Sequence, residues 1–189
     1  MIFAGLSFTA VSAPAAVMVT VDFETGPPIG QPINDDYVST AFVFWQRPDP
    51  GFRPYRRSAG VATHSGTVAA DISPEHCYPG EEDDAAACEF VTPSTLARLT
   101  HFASGITLYA GLFAPSNDAV SATLTAYNAA GTQVGTSTVP IGVGITTPIT
   151  VTSPAADIDR FGLVASGPGA VGASLGFDDL TLQFPGNPP

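Results

Sequence analysis

An all-β sandwich or barrel is the fold class that the sequence predicts, and three observations carry it. Gly 19 and Pro 18 punctuate a chain of 189 residues along its whole length. Outside the extreme N-terminus the longest stretches free of both are 33–47 and 116–130, so helices longer than about four turns have no room. Between these breakers short segments alternate apolar and polar side chains, the period of a half-buried strand. The hydrophobic fraction of 44% and the mean hydropathy of +0.23 supply apolar surface for one core, and a single domain over 17–184 is the expectation at this length.

Strands are expected over 17–24, 37–45, 59–64, 67–72, 105–112, 120–127, 132–139, 147–152, 158–165 and 174–184, an antiparallel set of about 8–10 with one short helix at most. Segment 120–127 shows the pattern plainly: Val120, Ala122, Leu124 and Ala126 share one face, while Ser121, Thr123, Thr125 and Tyr127 share the other. Asn128 to Gly131 then provides a hairpin connection, with Gly131 available for a positive φ. In the last strand Leu175, Phe177 and Asp179 are in one phase and Leu180, Leu182 and Phe184 in the other. That change predicts a bulge at Asp178-Asp179 that turns a carboxylate inward. Helix is expected only at 81–88, where four acids precede three alanines. The Pro-rich 185–189 reads as a disordered tail.

Charged residues make up 12% of the chain, so Ser and Thr must supply most of the polar surface, as in secreted proteins. The six basic residues are Arg47, Arg53, Arg56, Arg57, Arg98 and Arg160; there is no Lys, and seventeen acids bring the net charge to −11. A nucleic-acid partner is excluded by that field, and Schiff-base or Walker-type lysine chemistry by composition. Residues 2–11 form an apolar run followed by Ser12-Ala-Pro-Ala-Ala16, a small-x-small site. This reads as a signal peptide over 1–16, the alternative being a tail before the first strand. A secreted, extracellular or cell-surface location follows, with a periplasmic one in the same class; no later segment is apolar enough to span a bilayer. In such a compartment Cys77 and Cys88, flanking an acidic loop, read as one disulfide.

Catalytic motifs fail on context. Gly172-Ala-Ser174-Leu-Gly176 matches a nucleophile elbow, but a strand pattern follows where a helix is required. Gly167-Pro-Gly-Ala-Val-Gly172 resembles a dinucleotide loop, yet no helix follows it either. His64, His76 and His101 lack metal-ligand spacing. No nucleophile–base pair stands out, so the expectation is a protein without catalytic residues.

Two constellations remain. Asp22 and Glu24 in the first strand and Asp178-Asp179 in the last would meet if the terminal strands ran side by side, and would repel unless they held a cation such as Ca²⁺. Solvated strand-end acids are the other reading. The segment Trp45 to Arg57 holds the only Trp and four of the six Arg. There Trp45, Phe52 and Tyr55 beside Arg47 and Arg53 suit a sugar, ring on aromatic and hydroxyls on guanidinium. Against this, the arginines can pair with the acidic 75–89 loop and Trp45 can belong to the core.

The stretch Val21-Asp-Phe-Glu-x-Gly26, the spacing Ile33, Tyr37 and Phe42–Phe44, Ala126-Tyr-Asn-Ala-Ala-Gly131 and Gly176-Phe-Asp-Asp-Leu-Thr-Leu182 together resemble galactose-binding-like jelly-roll domains. These include calcium-containing carbohydrate-binding modules and exported bacterial proteins with a PEP-CTERM sorting tail, a tail this chain lacks. The resemblance implies an antiparallel jelly-roll β-sandwich, a structural calcium on Asp22, Glu24 and Asp179, and a polysaccharide or cell-surface glycan as partner. A structural or self-associating surface protein is the competing expectation, since uncovered strand edges can template assembly.

Overall fold

The computed structural model describes residues 15–46, 54–72 and 92–186. Residues 1–14 of the expected signal peptide (1–16), the helix at 81–88, the Cys77–Cys88 disulfide, the candidate residues Arg47, Phe52 and Arg53, and the last residues of the tail all lie outside the described residues.

Eleven strands and one helical turn are described: β1 (Val17–Val21), α1 (Val38–Ala41), β2 (Val43–Gln46), β3 (Tyr55–Ser58), β4 (Val68–Asp71), β5 (Ser94–Ala103), β6 (Gly105–Leu112), β7 (Val120–Tyr127), β8 (Gln133–Ile141), β9 (Thr147–Thr152), β10 (Ile158–Ser166) and β11 (Leu175–Phe184). Sheet A runs β3-β4-β11-β6-β9, with β1 also on β11; sheet B runs β2-β5-β10-β7-β8. The antiparallel pairs β4–β11, β5–β10, β6–β9 and β7–β8 are nested, as if one long hairpin had been wrapped around a core. That nesting defines a jelly roll, and it brings the chain's first strand beside its last, Val17 opposite Phe184.

The alternating residues of both sheets meet in one core. Leu108, Leu124, Phe161, Phe177 and Phe184 are fully buried there. Phe23 is at its aromatic centre, 5.4 Å from Phe177 and 5.6 Å from Tyr37 in edge-to-face contact, the arrangement ring quadrupoles favour. Strands β6, β7 and β9 occupy the residues expected of them, and the Asn128–Gly131 hairpin closes with Gly131 at φ 83. The bulge in β11 is also present, as a register shift between Asp178 and Thr181 with Asp179 at φ 46, but it turns no carboxylate inward: Asp178 and Asp179 both meet Ser65 on the side away from the core.

Three expectations change. Residues 37–45 do not form one strand: Val38–Ala41 make a helical turn, Phe42 reverses at φ 60, and only Val43–Gln46 extend. The inward residues Tyr37 and Ala41 are four apart, a helical spacing, before Val43 and Trp45 continue at the strand period. Segment 59–64 is a loop, and the strand lies just before it, in β3. Strand β5 was hidden because its inward residues Thr95 and Ala97 are polar or small, while Leu96 and Phe102 point outward. Alternation is obscured when the apolar residues sit on the wet face.

Candidate functional site

Among the described residues no segment lies across the outer face of sheet B, and strand register arranges that face in rows. One row crosses the sheet as Phe44, Arg98, Arg160 and Tyr127 on β2, β5, β10 and β7. The next row runs Leu96, Gly162, Thr125 and Thr136, and a third runs Ser94, Val164, Thr123 and Thr138. All share this face because Phe161, Leu163, Ala97 and Ala126 fill the opposite side of the same strands. Hydroxyl pairs tie the β7–β8 edge together, Thr123 to Thr138 at 2.9 Å and Thr125 to Thr136 at 3.3 Å.

A groove of about 270 Å³ lies across these rows, lined by Ser94, Leu96, Thr125, Tyr127, Gly162 and Val164. Its floor exists because Gly162 has no side chain. A Cβ there would meet the Thr95 carbonyl oxygen only at 3.4 Å and Leu96 Cδ1 at 3.9 Å, so this glycine relieves no crowding and leaves open space instead. A depression with an aromatic wall, hydroxyls and neighbouring guanidinium groups is the usual composition of a small-molecule site.

Two of the aromatic residues expected to bind ligand, Trp45 and Tyr55, are elsewhere. Trp45 is 4% exposed and Tyr55 5% exposed. Trp45 packs between the sheets, 6.2 Å from both Phe23 and Phe177, because β2 alternates and Trp45 shares the inward phase with Val43. This is a correction to the sugar platform expected of Trp45 and Tyr55. The neighbour that does face outward on β2 is Phe44, opposite Arg98.

The bulge in β11 builds a second polar cluster, on the side of sheet A away from Phe177. Loop 59–67 covers it. Asp178 accepts from the backbone N–H of Ser65 at 3.0 Å and of Asp179 at 2.8 Å. Asp179 accepts from Ser65 Oγ at 2.8 Å and is hydrogen-bonded to His64 Nδ1. The His64 ring stacks on Tyr109 at 3.4 Å. Burial pushes the Asp178 carboxyl up to about 6, helped by the Asp179 charge and opposed by the two backbone N–H groups and His64. The serine bonds the carboxylate, not the histidine, so no nucleophile–base relay is formed.

The three carboxylates expected to hold calcium are otherwise engaged. Glu24 Oε1 accepts from the N–H of Thr67 at 2.6 Å and of Val68 at 2.8 Å; Asp22 accepts from Glu24 N–H at 3.1 Å; Asp179 holds Ser65 and His64. Among the described residues no three His, Cys, Asp or Glu side chains gather where one ion could meet them. The cation at this place is Arg56. Its Nε donates to the Phe23 carbonyl at 2.7 Å, Nη1 to the Pro27 carbonyl at 2.7 Å, and Nη2 to the Glu24 carbonyl.

No helix among the described residues is long and apolar enough to cross a membrane. No protein-family model matches the chain, and no curated protein matches its sequence. Solved structures do resemble it. The K1 cleaved adhesin domain of Lys-gingipain from Porphyromonas gingivalis W83 superposes with a TM-score of 0.52 at 13% identity, covering 90% of this chain and 99% of that one. A carbohydrate-binding module, TmCBM27, studied for specific mannan recognition, gives 0.49 at 11% identity over 90% of this chain and 98% of its own. An arabinose-bound α-L-arabinofuranosidase, MgGH51, gives 0.47 at 12% identity over 81% of this chain, which spans only 24% of that enzyme. At these identities the likeness is one of fold: the chain is an antiparallel jelly-roll β-sandwich, an architecture it shares with the K1 adhesin domain.

Proposed function

We propose that this is an exported, non-catalytic glycan-binding β-sandwich whose binding surface is the outer face of sheet B. The observation that carries the reading is the groove over Gly162, walled by Tyr127, Leu96 and Val164 and edged by Thr125 and Ser94. A sugar ring presents an apolar face to an aromatic or aliphatic wall and hydroxyls to Thr, Ser and Arg, and this groove offers both within one strand spacing. The export reading rests on the apolar run and small-x-small site at the N-terminus and on the sparse charge. The clamping expected of calcium is assigned to Arg56.

The test is retention of the protein on a panel of soluble and insoluble polysaccharides, for the wild type and for Gly162→Val. Valine favours a strand and its Cβ has room, so the variant should melt at or above the wild-type temperature while its side chain fills the groove. Retention by the wild type and loss by the variant is the expected result. Retention unchanged by the variant would move the glycan site away from sheet B.

A further inference from the structure

We propose that the glycan bound on this face is acidic, a uronic-acid polysaccharide whose carboxylate is held by Arg98 and Arg160; the proposal rests on the glycan-binding reading above. Arg98 and Arg160 stand directly opposite each other on β5 and β10. Like charges so placed destabilise an antiparallel pair. Seventeen acids against six arginines make partners abundant in this chain, and the other described arginines have acceptors: Arg57 donates to Asp71, and Arg56 to three carbonyls. Arg98 and Arg160 have no hydrogen bond or ion pair among the described residues, and Arg98 Nε is buried with no acceptor. A guanidinium N–H withdrawn from water and left unbonded is costly, and an arriving anion removes that cost.

The surroundings select what the anion belongs to. The three rows of this face carry no Asp or Glu. Phe44 and Tyr127 flank the pair in its own row, and the Gly162 groove opens one row away, two residues along β10 from Arg160. In a uronic acid the carboxyl is bonded directly to a ring carbon. A ring seated in the groove therefore brings its carboxylate to the arginine row without a spacer, and a planar carboxylate matches the guanidinium fork. The net charge of −11 opposes a polyanion at long range, so recognition is a contact between this row and one charged ring.

The experiment measures binding to polygalacturonate and alginate, to the carboxyl-reduced form of each, and to a sulfated galactan. It uses the wild type, Arg98→Gln, Arg160→Gln and Gly162→Val, with melting temperature as the check on folding. The wild type should bind a uronate polymer at least about tenfold more tightly than its reduced form, each glutamine variant should lose about 10- to 100-fold at a melting temperature no lower than the wild type's, and Gly162→Val should lose binding altogether. Equal affinity for acidic and reduced polymers, with loss only in Gly162→Val, would overturn the acidic assignment and leave the glycan reading standing. Preference for the sulfated galactan would place the arginines on a sulfate ester and overturn the carboxylate. No binding to any polysaccharide would overturn both.

Discussion

On the outer face of sheet A, Arg57 donates to Asp71 at 2.7 Å and lies 4.7 Å over the Phe113 ring; on the outer face of sheet B, Arg98 Nε has no acceptor. The faces differ in cover. Loops 59–67 and 142–146 lie across sheet A, where Ala59, Ala69, Phe113 and Ile145 form a second small core and the Asp178, Asp179, His64 and Ser65 cluster satisfies itself. Sheet B has no such cover among the described residues, and its arginines stand without an internal acceptor beside the groove. Polar residues on a covered face are structural because they must find partners inside the protein. Polar residues on an open face without partners are available to a ligand.

Trp45 gives the largest expected effect. It belongs to the shared core beneath both faces, so Trp45→Ala should cost about 3–5 kcal/mol in chemical denaturation. Loss of glycan retention with stability intact would instead return Trp45 to the ligand. Glycines sharpen the contrast next. A Cβ on Gly111, in sheet A, would come within 1.8 Å of the Gly144 carbonyl oxygen, because the covering loop rests on that strand. Gly111→Ala should therefore cost about 3 kcal/mol, whereas Gly162→Ala in sheet B should be neutral or stabilising by about 0.5 kcal/mol. Equal costs in a pair of melting curves would mean that both faces are covered.

Much of the fold was legible because alternation and breakers act locally: β6, β7, β9 and the β11 bulge all follow from spacing alone. The site was not. Arg98 lies in β5, whose outward leucine and phenylalanine masked the alternation. Tyr127 read as the wet end of a strand, and Gly162 fell unremarked within the 158–165 segment. Their meeting depends on the register of four strands distant in sequence, which no local pattern encodes. Trp45 misled for the converse reason: its sequence neighbours are loop-forming and basic, but its burial is decided by the phase of β2.

Clamping by Arg56 predicts insensitivity to metal. Arg56→Met removes donors from three carbonyls and should destabilise by about 2–3 kcal/mol, while calcium or chelator should leave the wild-type melting temperature unchanged. A fall on chelation would restore a metal to the β1 loop. The covered carboxylate predicts a pH dependence of similar size. Asp178 binds its proton more tightly folded than unfolded, with its carboxyl moved from 3.8 to about 6. Its contribution to stability is therefore fully present below about pH 4 and is lost as pH rises through about 6, a change of about 2–3 kcal/mol. Urea midpoints from pH 4 to 7 should fall for the wild type relative to Asp178→Asn. A difference that is constant with pH would show that Asp178 does not titrate there.

The smallest effect separates the two faces most directly. Asp71 is fully buried, so Arg57→Gln weakens the neutralisation of an inaccessible carboxylate and should cost about 2 kcal/mol. Arg98→Gln removes one of two directly opposed like charges and should raise stability by about 0.5 kcal/mol. A charge whose removal stabilises the protein is retained at the expense of stability, as binding groups often are. If Arg98→Gln instead destabilises by as much as Arg57→Gln, then Arg98 has an internal partner and sheet B is as self-contained as sheet A. If it stabilises and binding is lost, the cost of the opposed pair is the cost of the site.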